Sequence, residues 1–298
     1  MWRKPILILR KERIMFSKKL IIVLLGLLFL FSCSQESAFV ASPEKGQISI
    51  SETPIDQGVT AREIGTAHGN LVKIFMNNLF NDALQDPAAK ARFLANNGVD
   101  SQTFKTVFIK SVNEYFVLEG KNVRMTEGDY VYLEANVPRF RTGSSAEIRA
   151  RLRSFHEQGR LSDHALAQVI AGVDRIDQAV SKQGLPIEDA QVLLAPPTPY
   201  GPNGPEEFDV QVFNAIAVNS AQTWSELMAD TDWINDAELV GWWHWFRDSE
   251  KGRAIGTIAA DAVGGIAFCV LSGGNPIWTL VGGAGASIVF ANWAYQGM

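Results

Sequence analysis

The chain has 298 residues, 47% of them apolar, and a formal net charge of −5. That length admits one large domain or two smaller ones, and the composition supports a packed core. The first 32 residues carry seven Lys/Arg and one Glu, leaving 20 basic and 31 acidic residues in the rest, a net charge of about −11; so acidic a body speaks against nucleic acid as a partner, because that binding rests on neutralising phosphates.

The N-terminus reads as a sorting signal. Lys18 and Lys19 precede the apolar run Leu20 to Phe31, then Ser32 and Cys33. At 1.5 Å per residue the run is too short for a hydrocarbon core of ~30 Å, whereas a basic start and a short apolar stretch describe a secretory signal. Leu30, Phe31, Ser32 and Cys33 resemble a bacterial lipobox, with Phe31 where a small residue is usual. That resemblance implies lipid attachment, palmitate included, at Cys33; an ordinary signal peptide or a signal anchor is the alternative. MFSKK at Met15 is the more usual opening, so residues 1–14 read as an over-extended start. With Cys33 acylated, Cys269 is the one thiol left and no intramolecular disulfide forms.

Residues 33–60 are mostly polar, with Pro43 and Pro54, and read as a flexible tether. A helical body is expected over 61–194. Ile64, His68, Leu71, Phe75 and Leu79 share one face. Asp86 followed by Pro87 signals a helix start, and that short helix should end near Gly98. Phe104, Val107, Phe108, Val112, Tyr115 and Phe116 form the next stripe, stopped by Gly120. YVYL at 130–133 fits a short strand or a helical turn. Ser144 and Glu147 have capping-box spacing, with Ile148, Leu152 and Phe155 inside and Gly159 as the stop. Ser162 opens another helix whose buried face is Leu166, Val169, Ile170, Val173 and Ile176. Residues 195–206 are rich in Pro and Gly and read as a loop. A long helix follows within 207–298, with Val212, Phe213, Ile216, Ser220, Trp224, Leu227 and Met228 on its inner side. The class is therefore mainly α, a helical body with a C-terminal Gly/Ala-rich helical hairpin.

The hairpin consists of residues 254–271 and 277–294, two runs of 18 residues whose only charge is Asp261, separated by GGNP at 273–276. Each run just reaches the length that crosses a thin bilayer. Gly252, Gly256, Ala260 and Gly264 form one row of small residues at a spacing of four, and Thr279, Gly283, Ser287 and Ala291 form another. Residues four apart share a helix face, and small side chains there let helices approach closely. Trp242, Trp243 and Trp245 precede the first run, Trp278 lies at the turn, and Trp293 and Tyr295 follow the second. Such aromatics suit a membrane interface. Asp261 opposes that reading, since a charge in hydrocarbon costs ~2.5–3.5 kcal/mol on insertion scales. A membrane or oligomer hairpin is the favoured expectation; a hairpin in a soluble core and a secreted toxin element are the alternatives.

Cys33 together with the rows at 252–264 and 279–291 resembles the glycine-zipper lipoproteins of bacterial envelopes. The tail is also similar to the glycine-rich ends of two-peptide bacteriocins. IGTAHGN at 64–70 resembles an I-G-x-x-H-N element of uncharacterised bacterial helical proteins, with Gly69 inserted before Asn70. These resemblances imply an envelope location, helix packing and no catalysis.

Catalytic motifs are scarce. There is no G-x-S-x-G, no phosphate-binding loop and no C-x-x-C. GGAGAS at 282–287 lacks the preceding strand that a dinucleotide loop needs. No two of the four histidines have the i, i+4 spacing of a zinc-binding helix. His156 and His164 fit a charged surface better than a metal site. His68, on an apolar helix face, is the one functional candidate and needs a partner from elsewhere in the fold; Asn70, Asn77 and Asn78 are the nearby options. No cofactor or metal is expected. The expected protein is a non-enzymatic envelope lipoprotein, with the membrane and possible self-association as its partners. A pore-forming or antibacterial effector and a soluble enzyme or binding protein using His68 are the alternatives.

Overall fold

A computed structural model describes residues 48–49, 59–96, 98–136, 145–181, 205–249, 261–262, 264–265 and 277–286. All of them belong to the unit Lys45–Met298. The signal segment, Cys33, and the Pro/Gly-rich stretch before Pro205 lie outside the described residues, as do Gly252, Gly256, Ala260, Ser287, Ala291, Trp293 and Tyr295.

The protein is mainly α. A two-residue strand, β1 (Ile48–Ser49), precedes helix α1 (Ala61–Asn81). Thr60 caps α1: its hydroxyl accepts from the Glu63 N–H at 3.2 Å, and the Glu63 carboxylate accepts from the Thr60 N–H at 2.7 Å. This reciprocal pair satisfies donors that the first turn leaves open. A single 3-10 turn (Ala83–Gln85) leads to α2 (Pro87–Asn96). There the Asp86 carboxylate accepts from the Ala89 N–H at 2.7 Å, and proline occupies the first helical position, where its missing N–H is no loss. Helix α3 (Ser101–Leu118) is capped by Asp100 and is followed by Gly120 at φ 66°. Only glycine adopts that left-handed conformation without strain.

Strand β2 (Val123–Arg124) pairs in parallel with β1, Ile48 opposite Val123. The region read as tether therefore contains a strand. Two paired residues leave no periodic pattern for a sequence reader to find. YVYL falls in helix α4 (Glu127–Asn136), which Thr126 and Asp129 cap reciprocally. Tyr130 and Leu133 are buried while Val131 and Tyr132 are exposed, a helical three-residue step rather than an alternation. Helix α5 (Ser145–Glu157) ends at Gly159, φ 69°. Helix α6 (Asp163–Ser181) opens with the Ser162 hydroxyl accepting from the Ala165 N–H at 3.1 Å. The long helix α7 (Pro205–Ala229) starts two residues before its expected position, again with proline in its first turn. Helix α8 (Ala237–Ser249) is capped by Asp236.

Helices α1 and α7 form the central pair. Helix α3 also packs on α1, and α6 joins α7 to α5. Gly65 and Gly69 on α1 face α7 at close range. A methyl group on Gly65 would lie 2.6 Å from the Ala215 carbonyl oxygen, and one on Gly69 would lie 2.5 Å from the Thr223 hydroxyl. Small residues four apart thus set the α1–α7 distance within the body. Phe80, Phe93, Trp233, Trp242 and Trp243 fill the far end of α1 with mostly edge-on and tilted ring pairs, the arrangement that ring quadrupoles favour.

Candidate functional site

His68 lies on the inner face of α1, one turn after Ile64 and Gly65. It is fully buried. Its sequence neighbours do not partner it. Asn70 is exposed, the Asn77 side-chain oxygen accepts from Asn81, and Asn78 donates to Ser111 at 3.1 Å and Glu114 at 2.8 Å. The partner is Asp261 of the tail, whose Oδ2 stands 3.2 Å from His68 Nε2. Ser220, on the inner face of α7, donates its hydroxyl to the same oxygen. All three residues are fully buried.

This arrangement fixes the imidazole tautomer. Nδ1 of His68 is buried and finds no hydrogen-bond partner among the described residues. An ionised carboxylate only accepts hydrogen bonds, so the Nε2 that faces Asp261 carries a proton and donates it. Gly283 covers the Nδ1 side; a methyl group on it would come within 3.2 Å of that nitrogen. The carboxylate therefore gathers an N–H from α1 and an O–H from α7. Unpaired, a buried carboxylate would be strongly disfavoured.

A serine, a histidine and an aspartate in one place invite comparison with a hydrolase triad. The wiring differs. A triad runs serine to histidine to acid, with the base bonded to the nucleophile. Here the acid is in the middle, both donors reach one oxygen, and no hydrogen bond links Ser220 to His68 among the described residues. The cluster is also closed to solvent. Its geometry suits a polar clasp between three chain segments.

Around the clasp the described tail residues are helical and almost wholly buried, with Ile277 half-buried at one edge. Gly264 faces Ala286, bringing the two arms of the tail together, and Gly265 faces Ile216 of α7. A methyl group on Gly285 would lie 3.1 Å from Leu133 and 3.5 Å from Phe108. Of the expected packing residues, Gly264, Thr279 and Gly283 are all buried. Of the expected interface aromatics, Trp243 is buried and donates its indole N–H to the Leu227 carbonyl at 3.1 Å. Trp278 is buried against Tyr132, with ring centres 5.0 Å apart. Trp242 is half-buried against Phe93, and Trp245 is exposed.

No protein-family model matches the chain, and its comparison with curated proteins and with solved structures gives no match. The site stands on its geometry alone. Among the described residues no three His, Cys, Asp or Glu side chains are grouped to hold a metal ion, and no helix is long and apolar enough to cross a membrane. His156 closes the α5–α6 turn, its Nδ1 2.8 Å from the Leu161 carbonyl, while His164 is exposed.

IGTAHGN at 64–70 acquires a physical meaning. Ile64 packs with Val212 and Ile216, Gly65 and Gly69 admit α7, and His68 reaches Asp261. Ser220 was legible only as a polar residue on an apolar stripe. His68 shares that property, and Asp261 is the lone charge of an apolar tail. Three polar groups, each on a face that buries, are the signal that could have joined them, since buried polar groups require one another.

Proposed function

We propose that this chain is a non-enzymatic, lipid-anchored protein of the bacterial cell envelope whose C-terminal tail is a helix-packing element. The lipid is carried by Cys33. The observation that carries the packing role is the clasp: His68 from α1 and Ser220 from α7 both donate to Asp261, the single charge of the tail. A tail bonded in this way belongs to the core of its own body. The central position of the acid and the burial of all three groups support a structural role for His68 over a catalytic one.

Metabolic labelling with a palmitate analogue tests the anchor. The wild-type chain takes up label and Cys33→Ala does not. Absence of label from the wild type overturns the anchored reading.

One observation favours a second reading, a pore-forming or antibacterial effector: both arms of the tail, at 18 residues each, have bilayer-spanning length. In that reading the body is the storage form of a membrane-active segment. Dye release from liposomes by the intact protein supports it, and intact liposomes at micromolar protein count against it.

A further inference from the structure

We infer that Asp261 decides which environment the tail occupies, holding it in the protein and keeping it out of the bilayer. The two arms satisfy most requirements of a membrane hairpin. They are uncharged apart from Asp261, and small residues bring them together where Gly264 meets Ala286. Apolar side chains such as Leu280 and Val281 are nearly indifferent between a protein core and hydrocarbon, because both remove them from water. A carboxylate is not indifferent. In the body it receives the Nε2–H of His68 and the hydroxyl of Ser220. In hydrocarbon it has neither, and its charge alone disfavours insertion by about two orders of magnitude.

The clasp and the charge thus act in the same direction from two sides. The donors on α1 and α7 favour docking, and the carboxylate penalises the competing host. His68 and Ser220 stand on two helices in close contact at Gly65 and Gly69, so both donors belong to one helix pair that the tail completes. The inference rests on the tail's role as a packing element and is independent of acylation at Cys33.

The test uses the full chain with Cys33→Ala, mixed with vesicles of phosphatidylcholine and phosphatidylglycerol that contain a photoactivatable phospholipid. Lipid adducts are mapped by mass spectrometry, so tail peptides (254–294) are read separately from the N-terminal apolar run. With Asp261 present, tail adducts stay at background. Asp261→Asn, nearly isosteric and neutral, raises them at least tenfold. His68→Ala weakens docking while keeping the charge, and leaves them near background. The inference is overturned if cooperatively folding Asp261→Asn shows no increase. It is overturned equally if the unsubstituted tail is already labelled, or if His68→Ala is labelled as strongly as Asp261→Asn. Should Asp261→Asn not fold cooperatively, the apolar pair His68→Leu with Asp261→Leu replaces it and is held to the same outcomes. Labelling at Cys33 is read in a different experiment, so failure of the anchor and failure of the inference are distinguishable.

Discussion

His68 and Asp261 are 193 residues apart in the chain and 3.2 Å apart in the core. Removing Asp261 takes from two buried donors the oxygen that they share. Asp261→Ala is expected to lower stability by about 1–3 kcal/mol for each donor that it leaves unpaired, the usual cost of a buried hydrogen bond left unmade. Thermal melting followed by circular dichroism checks this. A double-mutant cycle with His68→Ala should give a coupling above about 1 kcal/mol, because residues sharing a hydrogen bond are not additive. Additivity would mean that the contact contributes nothing.

Helix α1 predicts opposite outcomes for one kind of substitution at different places. Gly65→Ala pushes a methyl group into the Ala215 carbonyl, 2.6 Å away. Overpacking of this kind costs about 1–3 kcal/mol, which outweighs the gain of up to about 1 kcal/mol from alanine's helix propensity. Gly241 on α8 is exposed with nothing within 4 Å of the added methyl. Gly241→Ala should therefore stabilise by about 0.5–1 kcal/mol. Denaturant midpoints of the two variants, moving in opposite directions, read the difference directly.

Asp236 predicts an acid-side effect. Its hydrogen bond from Lys90, 2.9 Å away, and the backbone N–H groups at the start of α8 hold its carboxyl below the usual range. A carboxyl lowered on folding contributes stability above its unfolded value of about 3.9 and loses it as pH falls through the folded value. Asp236→Asn keeps a cap of similar quality but removes the titration. Its stability relative to wild type should be lower at pH 7, and the gap should close below about pH 4. A gap independent of pH would refute the assignment.

Tyr115 predicts the alkaline counterpart. Burial, assisted by Glu119, pushes its phenol up to about 12. A phenol raised on folding favours the native state below its unfolded value of about 10, and this contribution is lost as pH rises through the folded value. Ultraviolet titration should show one tyrosine ionising late. Tyr115→Phe should remove that phase and flatten the loss of stability between about pH 10 and 12.

These relationships mark how far the sequence could be read. The stripes of α1, α3, α6 and α7 were legible because each buries one face at helical spacing. The stops of α3 at Gly120 and of α5 at Gly159 were legible because both positions need φ above zero. YVYL was ambiguous because four residues cannot separate periods of two and 3.6. The β1–β2 pair is too short to have a pattern. Rows of small residues are legible in the tail, yet Gly65 and Gly69 use the same spacing in the body, at the central helix pair. Spacing alone does not say which partner a row receives. The clasp was half legible: His68 and Asp261 each stood out as misplaced for their surroundings, but only tertiary folding pairs residues so far apart.

The clasp also orders events in time. Asp261 and residues 277–286 leave the ribosome after His68 and Ser220, and they complete the seam that those two residues line. A chain cut short before residue 261 has the donor pair without the carboxylate that they share. Closure of this seam thus waits for Asp261.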